Sequence, residues 1–261
     1  MVTALTRAVS RSIVDCALSY IERLPIDFQL AERQHRAYED LLRQLGAKVV
    51  ALPAEHDLPD AVFVEDTVVA VDEVAVLTIP RLPARQAEVE SMATVMAAFR
   101  PLQRLRDDAR LEGGDVIRID RTIYVGRSRR TNQAGIDQLA EYLVPHGYEV
   151  RAVEMNGCLH LKTACTYVGD NTMLANPQWV DTAVFGERAI VDVAPTEPDA
   201  GNALLLDGVL VMPAAFPETR LALETRGFRV ETVDVSELQK AEAGVTCCSV
   251  LLPDVPPAVA S

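Results

Sequence analysis

Cys247 and Cys248 stand side by side near the chain end, in Gly244-Val245-Thr246-Cys247-Cys248-Ser249. Far upstream, Cys158-Leu159-His160-Leu161-Lys162-Thr163 carries a histidine. A cysteine with a distant histidine is a pairing that serves nucleophilic catalysis. Cys247 is the candidate nucleophile, because a thiolate reacts near neutral pH once its pKa falls or a base stands beside it. His160 is the candidate proton carrier, since imidazole titrates near working pH and can move a proton from one group to another. Glu112 heads Glu112-Gly113-Gly114-Asp115, where glycines let the backbone turn tightly beneath a carboxylate that would orient an imidazole and stabilise its charged form.

A second group of acids, Asp60, Glu65 and Asp66, interrupts what reads as an apolar strand in Leu58-Pro59-Asp60-Ala61-Val62-Phe63-Val64-Glu65-Asp66. Buried carboxylates are costly without a cation, and a guanidinium ligand would supply one with donors that match carboxylate oxygens. There is no Cys-x-x-Cys or His-x-x-x-His pair, no phosphate-binding glycine loop and no dinucleotide fingerprint, so neither metal nor cofactor is expected. Cys16, Cys158 and Cys165 read as buried structural residues, as does Cys248, which on a strand would face away from Cys247. His35 and His146, on or beside helices, and His56, in a polar loop, read as surface residues.

The elements that must position these groups recur along the chain. Ile117 to Val125, Ala203 to Val211 with its Asp207-Gly208 turn, and Val68 to Thr78 turning near Asp72 read as hairpins. Ile136, Leu139, Ala140 and Leu143 fall at helical spacing, as do Tyr38, Leu41, Leu42 and Leu45 before Gly46; Pro217 opens a further helix that Gly227 ends. Extended segments follow at Ala47 to Leu52, Tyr148 to Val153 and Phe228 to Val233. The polar residues that open these units, Asp66, Glu112, His160, Asn202 and Cys247, are separated by 46, 48, 42 and 45 residues. That regularity predicts a repeat of about 45 residues in five copies. Closed into a ring, the unit openings would converge on one axis. No linker or low-complexity stretch divides the chain, so residues 1–261 read as one domain.

Composition narrows the partners. With 49% hydrophobic and 24% charged residues, the 261-residue chain has the make-up of a soluble globular protein with ample material for a core. Its net charge of -13 would repel a phosphate backbone, and no basic run offsets it, so nucleic acid is excluded as an expected partner and a small cation is favoured. Five cysteines, an odd number with two adjacent, argue against a disulfide framework and for a reducing cytoplasm. No stretch approaches the roughly 18 apolar residues of a membrane helix.

Leu58-Pro59-Asp60, Phe63-Val64-Glu65-Asp66, Glu112-Gly113-Gly114-Asp115, Arg130-Thr131-Asn132, His160-Leu161-Lys162-Thr163 and Thr246-Cys247-Cys248-Ser249 together resemble the dimethylarginine dimethylaminohydrolases. The likeness runs from about Ser10 to Leu252. It implies an α/β fold, the five-bladed propeller called a pentein, made of pseudo-fivefold ββαβ repeats, and hydrolysis of methylated arginine to citrulline and a methylamine. By that resemblance Cys247 is the nucleophile, His160 the general acid and base, and Glu112 its partner. Asp66 would hold the guanidinium with Glu65 beside it, and Asp60 would lie near the α-amine. Arg85 and Arg130 would bind the substrate carboxylate, a task suited to the guanidinium fork. Phe63 and Leu18 complete the implied substrate-binding set, Leu18 in an N-terminal lid extending to about Phe28. The partner implied is a small guanidino amino acid, and a homodimer is compatible with the resemblance. Arginine deiminase is the nearest alternative; Lys162, where deiminases tend to carry an acid, speaks against it.

Overall fold

The structure, a computed structural model, describes residues 2–253. Its strands form five sheets of three strands each. Val116–Ile119 and Thr122–Arg127 make an antiparallel hairpin, and after the helix Gln133–Leu143 the strand Glu149–Glu154 pairs parallel with the hairpin's second strand. The same ββαβ order recurs in Val68–Ala70, Ala75–Leu77 and Leu102–Arg104 around the helix Glu88–Met96. It recurs again in Leu204–Leu206, Val209–Pro213 and Arg229–Val233 around Pro217–Thr225. The sheet of Cys165–Gly169, Thr172–Ala175 and Ala189–Asp192 departs from the expected pattern, because a 3-10 turn, Thr182–Phe185, stands in place of the helix. Pro177 precedes that connection and Gly186 ends it at φ 70°, while Phe185 and Trp179 pack into the core where a helix face would lie.

The last sheet joins the first and last described strands. Val250–Pro253 pairs antiparallel with Val2–Arg7, which pairs parallel with Ala47–Leu52 beyond the helix Phe28–Gln44. Each of five apolar clusters bridges one sheet to the next. Leu5 and Leu52 meet Val68 and Leu77; Val69 and Val76 meet Val116 and Ile123; Ile117 and Tyr124 meet Cys165 and Met173; Val168 and Leu174 meet Leu210 and Met212. The fifth cluster joins Leu204 and Val211 to Ala4 and closes the ring. Interior burial on both faces explains why the middle strands, such as Val209–Pro213, are apolar throughout rather than alternating.

Local signals act as the sequence leads one to expect. Asp207 at φ 49° and Gly208 at φ 75° form the hairpin turn, whose backbone twist requires two left-handed residues. Gly46 at φ 89° ends the first helix, and Asp27 caps its start by accepting from the Leu30 N–H at 3.0 Å.

Three local expectations are corrected. Leu58 to Asp66 is no strand: it is a series of turns ending in the 3-10 turn Val64–Thr67. The segment after His160, whose residues Thr163 to Val168 read as a strand from the sequence, begins as a short helix, Leu161–Ala164, and the strand is Cys165–Gly169. Cys248 lies in the 3-10 turn Thr246–Cys248, not on a strand, yet its side chain is buried in a core cluster. His35 also differs from expectation. It is 2% exposed, beside Tyr38, and burial pushes its pKa down to about 4 despite Glu39, so it is a neutral core residue.

Candidate active site

In four of the five units a short turn runs into the first strand of the hairpin: Val64–Thr67, Gly113–Asp115, Leu161–Ala164 and Thr246–Cys248. The ring brings these turns together at one end of its axis. Polar atoms of Asp66, Glu112 and His160 lie within 4.8 Å of one another, and all three residues are buried. Cys247 shares a small cavity with Asp60, Phe63, Asp66, Arg85, Arg130, His160 and Glu242. Asn202, which opens the remaining unit, takes a structural part: its amide donates to Thr246 Oγ1 at 2.9 Å and to the Lys162 carbonyl at 3.0 Å, and its carbonyl accepts from the Thr246 N–H.

The two glycines of Glu112-Gly113-Gly114-Asp115 are required by close approach. Neither has a positive φ. A Cβ on Gly113 would lie 2.0 Å from the Glu65 carbonyl oxygen, and one on Gly114 would lie 2.6 Å from His160 Nδ1 and 3.0 Å from Asp66 Oδ1. Two turns and an imidazole thus meet over backbone with no room for a side chain.

His160 Nε2 is 2.8 Å from Glu112 Oε2, while the other Glu112 oxygen accepts from the Arg81 N–H at 3.0 Å and faces Arg130 Nη1 at 3.4 Å. Asp66 Oδ1 lies 3.9 Å from His160 Nε2. Burial by itself would lower the pKa of His160, but Asp66, Asp115 and the hydrogen bond that His160 donates to Glu112 outweigh it and raise the value to about 9. His160 is therefore an imidazolium at neutral pH. Asp66, despite its burial, is held down to about 2 by His160 and Arg85, and Glu112 is lowered by its bond to His160. Burial, then Glu65 and Asp66, push the Cys247 thiol up to about 12, against the Gly244 N–H and Lys162. The resting pair is thus a thiol and an imidazolium, surrounded by carboxylates that favour an incoming cation.

Asp115 holds this arrangement from behind. Its Oδ2 accepts from Ser128 Oγ and Thr131 Oγ1, both at 2.6 Å, and its Oδ1 accepts from the Leu161 N–H at 2.9 Å, fixing the helix start next to His160. The sequence had shown Asp115 only as part of an acidic turn.

The other expected residues divide. Asp60 accepts from the Ala17 N–H at 3.1 Å, and Phe63 walls the cavity. Arg85 lines the cavity but is fully engaged, with Nη1 on Asp66 Oδ2 at 2.7 Å and Nη2 on Glu88 Oε2 at 2.9 Å. Arg130 Nη2 reaches the Ser19 hydroxyl at 2.8 Å. Glu65 turns away from the cavity: Lys162 Nζ donates to it at 2.6 Å and Thr246 Oγ1 at 2.8 Å. Those three residues instead line a larger axial cavity of about 330 Å³ on the far side, where neither Cys247 nor His160 is found. Leu18 packs against the cluster around Ala4 and does not line the small cavity, where Ala17 stands instead. Glu242 carried no sequence signal, because its contacts are with a segment more than two hundred residues away, whereas Glu88 stands only three residues after its partner Arg85 and was not singled out.

A protein-family model described as arginine deiminase matches residues 54–203. A dimethylarginine dimethylaminohydrolase of Pseudomonas aeruginosa is 33% identical over 94% of this chain and 97% of its own length, and one of Streptomyces coelicolor is 36% identical over 95% and 96%. A solved structure of the Pseudomonas aeruginosa enzyme, a cysteine-to-serine mutant complexed with citrulline, matches with a TM-score of 0.92 at 31% identity and covers 96% of this chain and 98% of its own. A solved structure of a dimethylarginine dimethylaminohydrolase adduct with S-methyl-L-thiocitrulline matches with a TM-score of 0.92 at 31% identity, covering 97% and 100%. The ring of five three-stranded sheets is thus the pentein propeller, and this chain belongs to the dimethylarginine dimethylaminohydrolase family.

Proposed function

We propose that the protein hydrolyses Nω-methylated arginines to citrulline and the corresponding methylamine through a covalent intermediate on Cys247. The observation that carries this reading is the meeting of Cys247, a His160 imidazolium on Glu112 at 2.8 Å, and Asp66 around one cavity rich in carboxylate. Asp66 is assigned to the substrate guanidinium. Its cation lowers the pKa of the neighbouring thiol, whose proton leaves to solvent. The thiolate attacks the guanidinium carbon, and His160, already protonated, donates its proton to the departing methylamine as the carbon–nitrogen bond breaks. The resulting S-alkylthiouronium is attacked by water, which gives its proton to the now neutral His160. Collapse of the tetrahedral adduct breaks the carbon–sulfur bond, the sulfur leaving as thiolate and the hydroxyl proton passing to solvent, and releases citrulline.

At the amino-acid end, Asp60 is assigned to the substrate α-amine and Arg130 to the carboxylate. Arg85, held between Asp66 and Glu88, is assigned to steadying Asp66 beside that carboxylate site. All five cysteines are free, which supports a reducing cytoplasm. No helix among the described residues is long and apolar enough to cross a membrane. The bridging of every sheet to the next supports one catalytic domain over the whole chain.

The test is citrulline formation from dimethylarginine, monomethylarginine and arginine, with mass spectrometry of the trapped protein. Methylated substrates are expected to have the higher kcat/KM, with an adduct on Cys247 that Cys247→Ser abolishes along with turnover. Arginine as the better substrate, releasing ammonia, would instead make this chain a deiminase on the same scaffold. Citrulline formation by Cys247→Ser would reject the nucleophile.

A further inference from the structure

The cavity that holds Cys247 and His160 measures about 20 Å³, enough for about one water and too small for a guanidino amino acid. Part of its wall is the segment that follows Cys16, which contributes Ala17. This segment has no helix or strand before Phe28, so its backbone donors and acceptors must be met by other parts of the chain. Most of those partners come from one stretch near the other end of the chain.

We infer that Glu242 is a positioning residue that latches the segment Ser19 to Ile21 over the catalytic cavity. This rests on the proposed assignment of Cys247 and His160 to the reaction. Three successive backbone N–H groups converge on its carboxylate: Ser19 at 2.9 and 3.0 Å to the two oxygens, Ile21 at 2.9 Å, and Tyr20 between them. Consecutive N–H groups aimed at one point form a concave anion site, and here the chain's own side chain fills it. Glu242 also adopts φ 61°, a left-handed conformation that is strained for a residue with a Cβ and persists where surrounding contacts hold it. It lines the catalytic cavity and, on its other side, a cavity of about 290 Å³ walled by Tyr20, Ile21, Trp179 and Phe216.

Neighbouring residues extend the latch. Lys240 Nζ donates to the Pro25 carbonyl at 3.0 Å, and Glu237 Oε2 accepts from the Asp27 N–H at 2.8 Å. On the opposite side the segment is held by Asp60, through the Ala17 N–H, and by Arg130, through the Ser19 hydroxyl. Those two side chains are the ones assigned to the amino-acid end of the substrate. Substrate entry must therefore displace the segment, and its return over the bound ligand depends on the Glu242 contacts, which do not compete with the ligand for the same partners.

The experiment compares the wild-type protein with Glu242→Gln, which keeps size and one acceptor but loses the charge, and with Glu242→Asp, which withdraws the carboxylate by one methylene. Amide hydrogen exchange in the ligand-free protein is expected to quicken at least tenfold at Ser19 to Ile21 and to stay unchanged in the five sheets. Iodoacetamide is expected to alkylate Cys247 several-fold faster, and KM is expected to rise by a larger factor than kcat falls. Unchanged exchange at Ser19 to Ile21 in both variants would overturn the latch, as would faster exchange with an unchanged KM. Exchange and alkylation need no turnover, so failure of the proposed reaction would show separately, as absence of citrulline from the wild-type protein. Should Glu242→Gln fail to fold, the Asp variant carries the same readings.

Discussion

At the residue scale, the site is a problem of placing charge where water is scarce. His160 is 4% exposed and ought to be neutral on burial alone, yet three carboxylates, Glu112, Asp66 and Asp115, hold its proton. A folded-state pKa of about 9 against an ordinary value of 6.5 means that the folded protein binds the proton more tightly than the unfolded chain does. The corresponding stability is complete below pH 6.5, declines between 6.5 and 9, and is absent above. Its upper bound is about 3 kcal/mol, from 1.36 kcal/mol per unit. His160→Asn should therefore lower the urea midpoint most at pH 6 and least at pH 9.5. A difference from wild type that stays constant from pH 6 to 9.5 would show that the imidazolium is not held in this way. The opposite logic governs Asp66, whose lowered pKa contributes stability present above about pH 4 and lost as pH falls toward 2.

At the element scale, what matters is how closely two turns approach. Gly113 and Gly208 are both glycines in turns, but for different reasons. Gly208 needs its positive φ of 75° and has nothing within 4 Å of a built Cβ. Gly113 needs space, since its Cβ would press on the carbonyl of Glu65, in the turn that also carries Asp66. Gly208→Ala should cost about 1–2 kcal/mol of backbone strain and leave kcat/KM unchanged at 25 °C, because its hairpin lies outside the site. Gly113→Ala should cost about 1–3 kcal/mol from overpacking and also reduce kcat/KM more than tenfold, because the two turns must move apart. Denaturation midpoints paired with kcat/KM for both variants measure this, and equal losses of activity would contradict the distinction.

At the scale of the whole molecule, the ring is closed by pairing of the first and last described strands. Val2–Arg7 pairs with Val250–Pro253 in one sheet, and each apolar cluster ties one sheet to the next, so no unit has a complete core by itself. Such a ring should lose its sheets together. Fluorescence of Trp179, the chain's one tryptophan, reports on one unit, while reaction of Cys247 with a thiol reagent reports on the closing region of the ring. Their urea transitions should coincide with that of far-ultraviolet circular dichroism. Separate midpoints would mean that the chain is divided into independently stable parts and would overturn the single-domain reading.

The local elements were readable from sequence wherever a short-range signal decides them. Asp207-Gly208 marks a hairpin because only left-handed residues make that turn, and the spacing of Tyr38, Leu41 and Leu42 marks a helix because one face must be apolar. The near-constant separation of Asp66, Glu112, His160, Asn202 and Cys247 gave the five units, since each unit is the same length of chain folded the same way. Periodicity carries no information about turns that open a unit, so the apolar run through Asp60 and Asp66 read as a strand; His35 read as a surface residue because imidazole is polar, although its spacing from Ala31 and Tyr38 puts it on the buried face of the first helix. Only the tertiary structure distinguished Asp66, at the cavity, from its neighbour Glu65, which faces Lys162 on the axial side. Only it brought Glu242 to the backbone of Ser19 to Ile21. Successive residues in a tight turn point in different directions, and contacts across more than two hundred residues are set by the closure of the ring; neither is encoded in local spacing.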